Sequence, residues 1–341
     1  MSAPSALVTG ATGFLGARLV PALVATGWAV RATARRPRPA WMPGVVDYRA
    51  VDLTGGEDLR PLSQEITHVF HLAGASSSLS STEEMHRSNV VATQRLVASL
   101  VGGDVQRFVH LSSTSVYGEE EQLDLPVRED VRPCPSRGYG KAKWQAEQAV
   151  WSAAASGLSV TVLRPVSVFG PANIKLLGSA ILDVAIEHFA GRPILPVPAE
   201  VVEQRLVHID DLVRACLHLA PRGDAAGRAF NIVFPEYPTS HQIVELLADI
   251  FAMTPEMSDD PQCGLSYEER QQQRAAMLSR GMHPDILLTK ERFRLLGKAN
   301  RNNRLSVEAL LSTGFRFNDE RLDDSIRTAV AWYAENRWIL L

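Results

Sequence analysis

The feature that most constrains the fold is a short apolar segment that leads directly into three closely spaced glycines. Residues 6–16 read Ala-Leu-Val-Thr-Gly-Ala-Thr-Gly-Phe-Leu-Gly, and apolar residues at helical spacing continue to Ala25. A glycine-rich strand-to-helix turn lets backbone approach a pyrophosphate closely, and the following helix directs unpaired N–H groups and its positive dipole end toward the anion. The segment therefore predicts a dinucleotide site at Gly10, Gly13 and Gly16, with a ligand-free tight turn as the alternative.

Segments of strand and helix character alternate through the first half of the chain. This alternation predicts an α/β fold of the Rossmann type, a doubly wound parallel sheet with ligands at the carboxyl ends of its strands. The predicted strands are 6–9, 29–33, 47–51, 68–72, 108–111 and 159–163, and the predicted helices are 14–25, 83–100 and 139–155.

The pattern loosens after Arg164, where prolines become frequent, and this change indicates a second, smaller region. A helix that begins near Asp210 and a strand at 229–233 resemble returns to the first region. We therefore predict a nucleotide-binding Rossmann domain over 1–165 with returns near 206–233. The same pattern predicts a smaller α/β substrate-binding region over 166–205 and 234–341.

Composition and charge argue against several classes of partner. The 341 residues carry a net charge of −3 with acids and bases interspersed, so the chain lacks the basic field that nucleic acid requires. No apolar run approaches the about 20 residues of a membrane span, and a strand starting at Ala6 leaves no room for a signal peptide. Cys134, Cys216 and Cys263 form no CxxC pair, which suits free thiols and no metal site. We expect a cytoplasmic protein without nucleic-acid or membrane partners.

A candidate proton-transfer pair opens the third predicted helix. Tyr139 and Lys143 are four residues apart and therefore share one face of the helix. A tyrosine with an ordinary pKa of about 10 is a poor base at neutral pH, but a nearby ammonium favours the phenolate, so we expect a lowered pKa for Tyr139. The strand at 108–111 ends in the hydroxyl side chains of residues 112–115, which can hydrogen-bond a substrate oxygen.

Taken in order, these motifs resemble the extended branch of the short-chain dehydrogenase/reductase (SDR) superfamily. This branch contains the NAD(P)-dependent epimerases and dehydratases and enzymes similar to dihydroflavonol reductase and 3β-hydroxysteroid dehydrogenase. The Gly-x-x-Gly-x-x-Gly spacing, His71-Leu-Ala-Gly, Leu163-Arg-Pro-Val-Ser and Arg205-Leu-Val-His carry the resemblance over nearly the whole chain. It implies a catalytic triad of Ser113, Tyr139 and Lys143. It also implies cofactor contacts from Gly10, Thr12, Gly13, Phe14, Leu15, Gly16, Asp52, Leu53, Leu72, Ala73, Gly74, Asn89, Tyr139, Lys143, Pro165 and Val168.

Charge at the end of the second predicted strand bears on the choice of nicotinamide cofactor. The sequence there contains Arg35 and Arg36 and no acid. A carboxylate would accept from the ribose 2′-OH of NAD, whereas a guanidinium suits the 2′-phosphate of NADP. We therefore expect both arginines to bind NADP(H). NAD(H), with the arginines merely solvating the strand exit, is the alternative.

Three functional hypotheses follow from the resemblance. The leading one is a reductase or dehydrogenase that acts on a small organic carbonyl or alcohol with Tyr139 as general acid/base. The second is a nucleotide-sugar epimerase or dehydratase that uses the same triad, and the third is a nucleotide-binding sensor or scaffold without turnover. Arg205 matches a diphosphate-binding arginine of the sugar-nucleotide enzymes, but residues 295–298 lack the second one. The expected substrate contacts are Ser76, Thr114, Ser167, Asn173 and Arg205, although Ser167 and Asn173 match no transferable motif and a flexible loop explains Ser76 equally well. Residues 253–288, which also match no motif, form a candidate lid.

Packing in the core or at an interface is the interpretation of several other polar and aromatic residues. His71 and His110 lie within apolar strand patterns and are expected to be core histidines. Trp144, Gln148 and Trp151 follow helical spacing. With the helix at 83–100 they predict either a homodimer interface or core packing.

Overall fold

The computed structural model describes residues 3–75, 80–118, 125–136, 138–175, 177–197, 200–258, 264–282, 288–290, 304–318 and 321–341. Its strands are β1 Ser5–Thr9, β2 Ala29–Ala34, β3 Asp47–Ala50, β4 His68–His71, β5 Arg107–Leu111, β6 Val160–Pro165, β7 Ser167–Phe169, β8 Ile194–Val197, β9 Leu206–His208, β10 Arg228–Ile232 and β11 Thr254–Met257. Its helices are α1 Gly16–Ala25, α2 Thr82–Met85, α3 Ala92–Leu100, α4 Gly138–Ala155, α5 Leu177–Phe189, α6 Ile209–Leu219, α7 Ser240–Ile250, α8 Tyr267–Ser279, α9 Glu308–Leu311 and α10 Leu322–Glu335.

The chain divides into two compact units. Unit 1 comprises Met1–Val166, Ile209–Val233 and Arg301–Phe317, and unit 2 comprises Ser167–His208, Phe234–Asn300 and Asn318–Leu341. Unit 1 contains the seven-stranded sheet, and unit 2 contains two separate pairs of parallel strands, β7 with β9 and β8 with β11.

The sheet of unit 1 has the order β3-β2-β1-β4-β5-β6-β10, and every neighbouring pair is parallel. The order reverses between β1 and β4, which is the point where ligands bind in open sheets of this kind. The central strands are apolar and buried because helices cover such sheets on both faces. The predicted Rossmann-type doubly wound fold is confirmed.

The predicted helix at 83–100 contains an interruption. Its middle, His86–Val91, is π-helical and lies between α2 and α3. The wider hydrogen-bond register of a π segment changes which side chains face inward, and such segments are frequent at functional sites. Here the segment carries the buried Asn89.

The core of unit 1 includes large apolar residues from β1, β5 and α3, among them Leu7, Phe108 and Leu96. Trp151 packs against this cluster, so its position in the predicted stripe reflects core packing, whereas Gln148 is exposed. Unit 2 has its own core around α5, α7 and α10.

One segment near the C-terminus differs from the predicted division of the chain. We assigned all of 234–341 to the second region, but residues 304–317 belong to unit 1. The reason is a set of long-range hydrogen bonds: Val127 N donates to Arg304 O (2.7 Å), Ser306 N donates to Val127 O (2.9 Å), and Asn231 Nδ2 donates to Ser306 O (3.2 Å). In addition, β9 pairs with β7 inside unit 2, so the return to unit 1 begins at Ile209.

The described ranges contain no helix that combines the length and the apolarity of a membrane span. They also contain no group of three or more His, Cys, Asp or Glu side chains arranged to hold a metal ion. Cys134 is an exposed free thiol and Cys216 a buried one, and Cys263 lies outside the described residues.

Candidate active site

The glycine turn is packed too tightly for side chains at two of its positions. Gly10 has a φ of +67°, and a Cβ there would lie 2.7 Å from the backbone N of Ala73 at the exit of β4. A Cβ on Gly16 would lie 2.5 Å from the carbonyl oxygen of Gly10. The turn therefore lies directly against the ends of β1 and β4.

The same turn leaves backbone donors available for an anion. Helix α1 begins at Gly16 with Leu15 at its N-cap, and no side chain caps it. Within the described residues, the N–H groups of Phe14 and Leu15 have no hydrogen-bond partner, and the first turn carries no acid. Free N–H groups at a helix N-terminus fit the pyrophosphate of a dinucleotide. Thr12 is half-buried in the same turn.

Asp52, the predicted adenine contact, lies in an electropositive setting after β3. Its Oδ1 accepts from Thr54 N (2.9 Å) and Thr54 Oγ1 (2.8 Å), and its Oδ2 lies 3.4 Å from Arg87 Nη2. These hydrogen bonds, followed by the charges of Arg87 and Arg35, hold the pKa of Asp52 below its ordinary value. The carboxylate is thus an acceptor at neutral pH. Leu53 is buried in the core of unit 1.

Arg35 and Arg36 follow the end of β2, and both are exposed. Neither guanidinium forms a hydrogen bond or ion pair within the described part of the chain. Arg87 is a third cation here, and sequence reasoning missed it. Its Nε donates to Thr54 Oγ1 (2.8 Å), but only the fold brings these two residues together, so no local motif could have revealed it.

Three predicted cofactor residues meet beyond β4. A Cβ on Gly74 would lie 2.5 Å from Asn89 Oδ1 and 3.4 Å from Lys143 Nζ. Asn89 Nδ2 donates to Ala75 O (2.9 Å) and Met85 O (2.8 Å), while its buried Oδ1 has no partner among the described residues. This unused acceptor lies against Gly74, on the side that Lys143 Nζ also approaches. Leu72 and Ala73 are half-buried in the same segment.

The structure brings the three predicted catalytic residues together. Ser113 follows β5, and its Oγ accepts from Ser115 N (3.2 Å) and hydrogen-bonds the side chain of Tyr139. Lys143 Nζ lies 5.9 Å from the centre of the Tyr139 ring and donates to Leu111 O (2.8 Å). The arrangement therefore places a phenol, an ammonium and a hydroxyl at the end of one strand.

Burial sets the protonation of this group. It raises the pKa of Tyr139 to about 12, although the hydrogen bond with Ser113 opposes the change. It also lowers the pKa of Lys143 to about 8, against the effect of the Glu147 carboxylate. The expectation of a lowered Tyr139 pKa is therefore wrong for this structure, because desolvation outweighs the ammonium, whose Nζ is directed to Leu111 O. At neutral pH Tyr139 carries its proton.

The two histidines near the site are core residues. His71 Nδ1 and Nε2 lie 2.7 Å from Thr9 Oγ1 and 2.8 Å from Thr93 Oγ1, and its ring stacks on that of His110 at 5.6 Å. Burial lowers the pKa of His71 to about 3 and that of His110 well below its ordinary value. Both imidazoles are therefore neutral, as expected of core histidines.

The remaining predicted residues differ in their roles. Thr114 Oγ1 donates to the carbonyl of Pro165 at the end of β6 (3.4 Å). In unit 2, the amide of Asn173 is used locally, since Nδ2 donates to Val168 O (2.6 Å) and Oδ1 accepts from Lys175 N (2.8 Å).

Other predicted substrate residues also belong to unit 2. Ser167 is half-buried in β7, as is Val168, which was predicted as a cofactor contact. Burial lowers the pKa of Arg205, while Tyr237 and Glu203 oppose the change. Ser76, residues 295–298 and parts of the candidate lid at 253–288 lie outside the described residues.

The parallel sheet, the glycine turn and the Ser–Tyr–Lys group together define the class of protein, an extended SDR. Residues 6–233 match the family model described as NAD dependent epimerase/dehydratase family. The chain belongs to this family. Its members include NAD(P)-dependent oxidoreductases and epimerases.

The chain is similar over much of its length to individual relatives and solved structures. The chain is 33% identical to sterol demethylase protein B of Methylococcus capsulatus over 250 residues, which cover 72% of this chain and 74% of that protein. It is 33% identical over 187 residues to a 4-hydroxy-2-methyl-3-oxo-4-farnesyl-3,4-dihydroquinoline-1-oxide ketoreductase of Stigmatella aurantiaca, with 53% of this chain and 55% of that protein covered. Among solved structures, MoeE5 in complex with UDP-glucose and NAD aligns with a TM-score of 0.73 and 27% identity, covering 97% of this chain and 99% of that one.

Proposed function

We propose that this chain is an NADP(H)-dependent reductase or dehydrogenase that interconverts a carbonyl and a secondary alcohol on a small organic substrate. The observation that carries the proposal is the charge after β2, where Arg35 and Arg36 are exposed and no acid is adjacent in sequence. Their guanidinium groups form no hydrogen bond or ion pair in the described chain. Guanidinium groups there favour a 2′-phosphate. NADP(H) suits net redox turnover, and the similarity to a ketoreductase supports the same reading.

The chain's own groups match the binding of that cofactor. The uncapped N-terminus of α1 would hold the pyrophosphate, and Asp52 would accept from the adenine amino group. Asn89 and Lys143, which meet at Gly74, would contact the nicotinamide half. When bound, NADPH supplies the hydride that the carbonyl carbon receives.

The protonation of the site suits reduction. Ser113 and Tyr139 would both hydrogen-bond the substrate oxygen, and Tyr139, protonated at neutral pH, would donate its proton as negative charge develops there. The ammonium of Lys143 would then stabilise the phenolate that remains. In the alcohol-oxidising direction, the same phenolate would accept the proton.

Two variants test this mechanism. Tyr139→Phe should lower NADPH-dependent reduction by about 10²–10⁴-fold because the general acid is lost, with little change in cofactor affinity. Substituting Arg35 and Arg36 with Ala removes charge-assisted hydrogen bonds worth about 1.5–3 kcal/mol each, so the NADPH dissociation constant should rise at least tenfold while that of NADH stays nearly constant.

Arg60→Ala is the matched control for the loss of a surface cation, since Arg60 is exposed and pairs with Asp58. Undiminished turnover in Tyr139→Phe would refute the mechanism. Equal weakening of both cofactors in the arginine variant would refute the cofactor assignment.

A nucleotide-sugar epimerase or dehydratase is the second candidate. Arg205, matched by resemblance to a diphosphate arginine, and the similarity to a structure holding UDP-glucose and NAD favour it. A thermal-shift screen of UDP-, GDP- and dTDP-sugars with cofactor present separates the candidates. Stabilisation by a sugar nucleotide would reverse our order, and cofactor binding without turnover of any substrate would favour a sensor or scaffold.

We also propose that the chain forms a homodimer through the exposed face of α4. Gln148 is exposed and Trp144 is half-buried on this helix. Light scattering should give twice the chain mass, and Gln148→Arg should lower it toward one chain. A monomeric wild-type protein would overturn this part of the proposal.

A further inference from the structure

A buried ion pair lies behind the candidate catalytic residues, and the proposed chemistry does not use it. Glu147 is on α4, one helical turn beyond Lys143, and Arg164 is near the end of β6. Arg164 Nη2 lies 2.5 Å from Glu147 Oε1, and Arg164 Nε lies 3.3 Å from Oε2. The two side chains are 4% and 0% exposed. Burying such a pair costs desolvation free energy, and apolar residues of similar volume often stabilise a core equally well.

Glu147 connects the elements that carry the three catalytic groups. Its Oε2 accepts from Ser112 Oγ (2.6 Å), and Ser112 directly precedes Ser113 at the end of β5. Along α4, positions 139, 143 and 147 recur at four-residue spacing and therefore share one face. A single carboxylate thus joins the strand end that carries the hydroxyl to the helix that carries the phenol and the ammonium.

Arg164 holds the carboxylate from the other side. Its Nη1 donates to Tyr117 Oη (2.9 Å) and to Glu129 O (3.0 Å), and Tyr117 Oη in turn donates to Asn231 Oδ1 (2.7 Å). Arg164 is therefore fixed by partners on several segments of unit 1. This fixation determines where the charge of Glu147 lies.

The charges that face Lys143 explain what this placement does. Tyr139 and Glu147 face it from α4, His71 from β4 and His110 from β5. Tyr139 and both histidines are uncharged at neutral pH, so Glu147 supplies the negative charge in this group. Its field opposes the desolvation that otherwise favours loss of the Lys143 proton.

We propose that Glu147, anchored by Arg164, is a positioning residue that keeps Lys143 protonated and fixes the Ser113 strand end against α4. This inference rests on the proposed function, in which Lys143 acts as an ammonium. Glu147 itself touches neither substrate nor cofactor in this account. Its effect is transmitted through Lys143 and Ser112.

The test is a titration of Lys143 that requires no turnover. The chain has five lysines, so lysine labelled with ¹³C at Cε gives a sparse NMR spectrum, in which Lys143→Arg assigns the signal. Glu147→Gln keeps the shape and one acceptor but removes the charge. Its Lys143 midpoint should fall by about one pH unit, a tenfold change in the protonation equilibrium.

Two control variants separate charge from packing. Trp151→Phe removes the hydrogen bond from Trp151 Nε1 to Glu147 Oε1 (3.1 Å) and part of the packing of the indole ring. It leaves the charge of Glu147 in place, so the midpoint should be unchanged. Glu147→Asp keeps the charge, so its Lys143 midpoint should stay close to the wild-type value. If Glu147→Gln fails to fold with Arg164 unpaired, the double variant with Arg164→Met replaces it.

An unchanged Lys143 midpoint in the folded Glu147→Gln or double variant would overturn the proposal, as would an equal shift in Trp151→Phe. In turnover, the pH at which the reduction rate falls should move down with the Lys143 midpoint, whereas a purely structural role would lower the rate at every pH. If the wild-type protein reduces no substrate, the proposed function fails while the titration still reports on Glu147. The two failures are therefore distinguishable.

Discussion

Replacing Gly10 with alanine should weaken both folding and cofactor binding because the added Cβ would meet backbone. It would lie 2.7 Å from Ala73 N and 2.9 Å from Leu72 C, at a φ of +67°. Backbone atoms cannot rotate aside as a flexible side chain does, so either the turn or the segment after β4 must move. Gly27 is the matched control: its φ is +84°, and a Cβ there would meet nothing within 4 Å.

The magnitude follows from two separable costs. A left-handed conformation destabilises the folded alanine variant by about 1–2 kcal/mol. The lower conformational entropy of its unfolded chain offsets about 0.4–1 kcal/mol of this loss. Gly27→Ala should therefore lose about 1 kcal/mol of unfolding free energy. Gly10→Ala carries the same strain plus about 1–3 kcal/mol for crowding. At about 2–4 °C per kcal/mol, its Tm should lie roughly 2–12 °C below that of Gly27→Ala.

Urea unfolding and thermal melts with and without NADPH measure both effects. At a cofactor concentration of 100 times Kd, the wild type and Gly27→Ala should each gain about 2.7 kcal/mol. Gly10→Ala should gain much less, since its displaced turn no longer presents the N–H groups of Phe14 and Leu15. Equal stability losses in the two variants, or equal stabilisation by NADPH, would refute the inferred contact between the turn and β4.

Two further predictions concern buried charge. The pKa of His71 is lowered to about 3, below the ordinary 6.5 of an unfolded chain. The unfolding free energy therefore has its full contribution from this residue above about pH 6.5. It falls as the pH drops toward 3, with a limiting slope of about 1.4 kcal/mol per pH unit. In urea melts at pH 4–6, His71→Gln should flatten the dependence of the unfolding free energy on pH, whereas the exposed control His86→Gln should not. Identical slopes in the two variants would contradict the lowered pKa of His71. In unit 2, Arg270→Met removes the guanidinium that donates to Asp183 Oδ1 (2.8 Å), both side chains being buried, and should cost about 3–5 kcal/mol. The double variant with Asp183→Leu should lose less than Arg270→Met alone, and strictly additive losses in the double-mutant cycle would exclude the coupling.

Most of unit 1 could be predicted because its signals are local. Alternating apolar segments predicted the strands, and the glycine turn predicted a dinucleotide site at the end of β1. The π segment His86–Val91 could not be found in this way, because apolar periodicity does not record a change in hydrogen-bond register. The return of residues 304–317 to unit 1 depends on bonds from Val127 and Asn231, which lie far away in sequence.

The candidate site shows the same limit. Spacing alone predicted that Tyr139 and Lys143 share a helix face, and the resemblance to extended SDRs selected Ser113. Sequence could not give their protonation, because burial is a property of packing. The electrostatic neighbours were missed for the same reason: Arg87 reaches Asp52, and Arg164 reaches Glu147, only through the fold.

Burial acts in opposite directions on the pKa values of the two titrating groups of the site, and it sets the protonation states of the free site. Desolvation penalises whichever form is charged, so it raises the pKa of Tyr139 and lowers that of Lys143. A phenolate base would require the site to overcome the first effect, whereas a phenol acid requires only that Lys143 keep its proton. The carboxylate of Glu147 favours the ammonium. The packing of unit 1 therefore keeps Tyr139 as the neutral phenol at neutral pH, which is the protonation state from which the proposed carbonyl reduction starts.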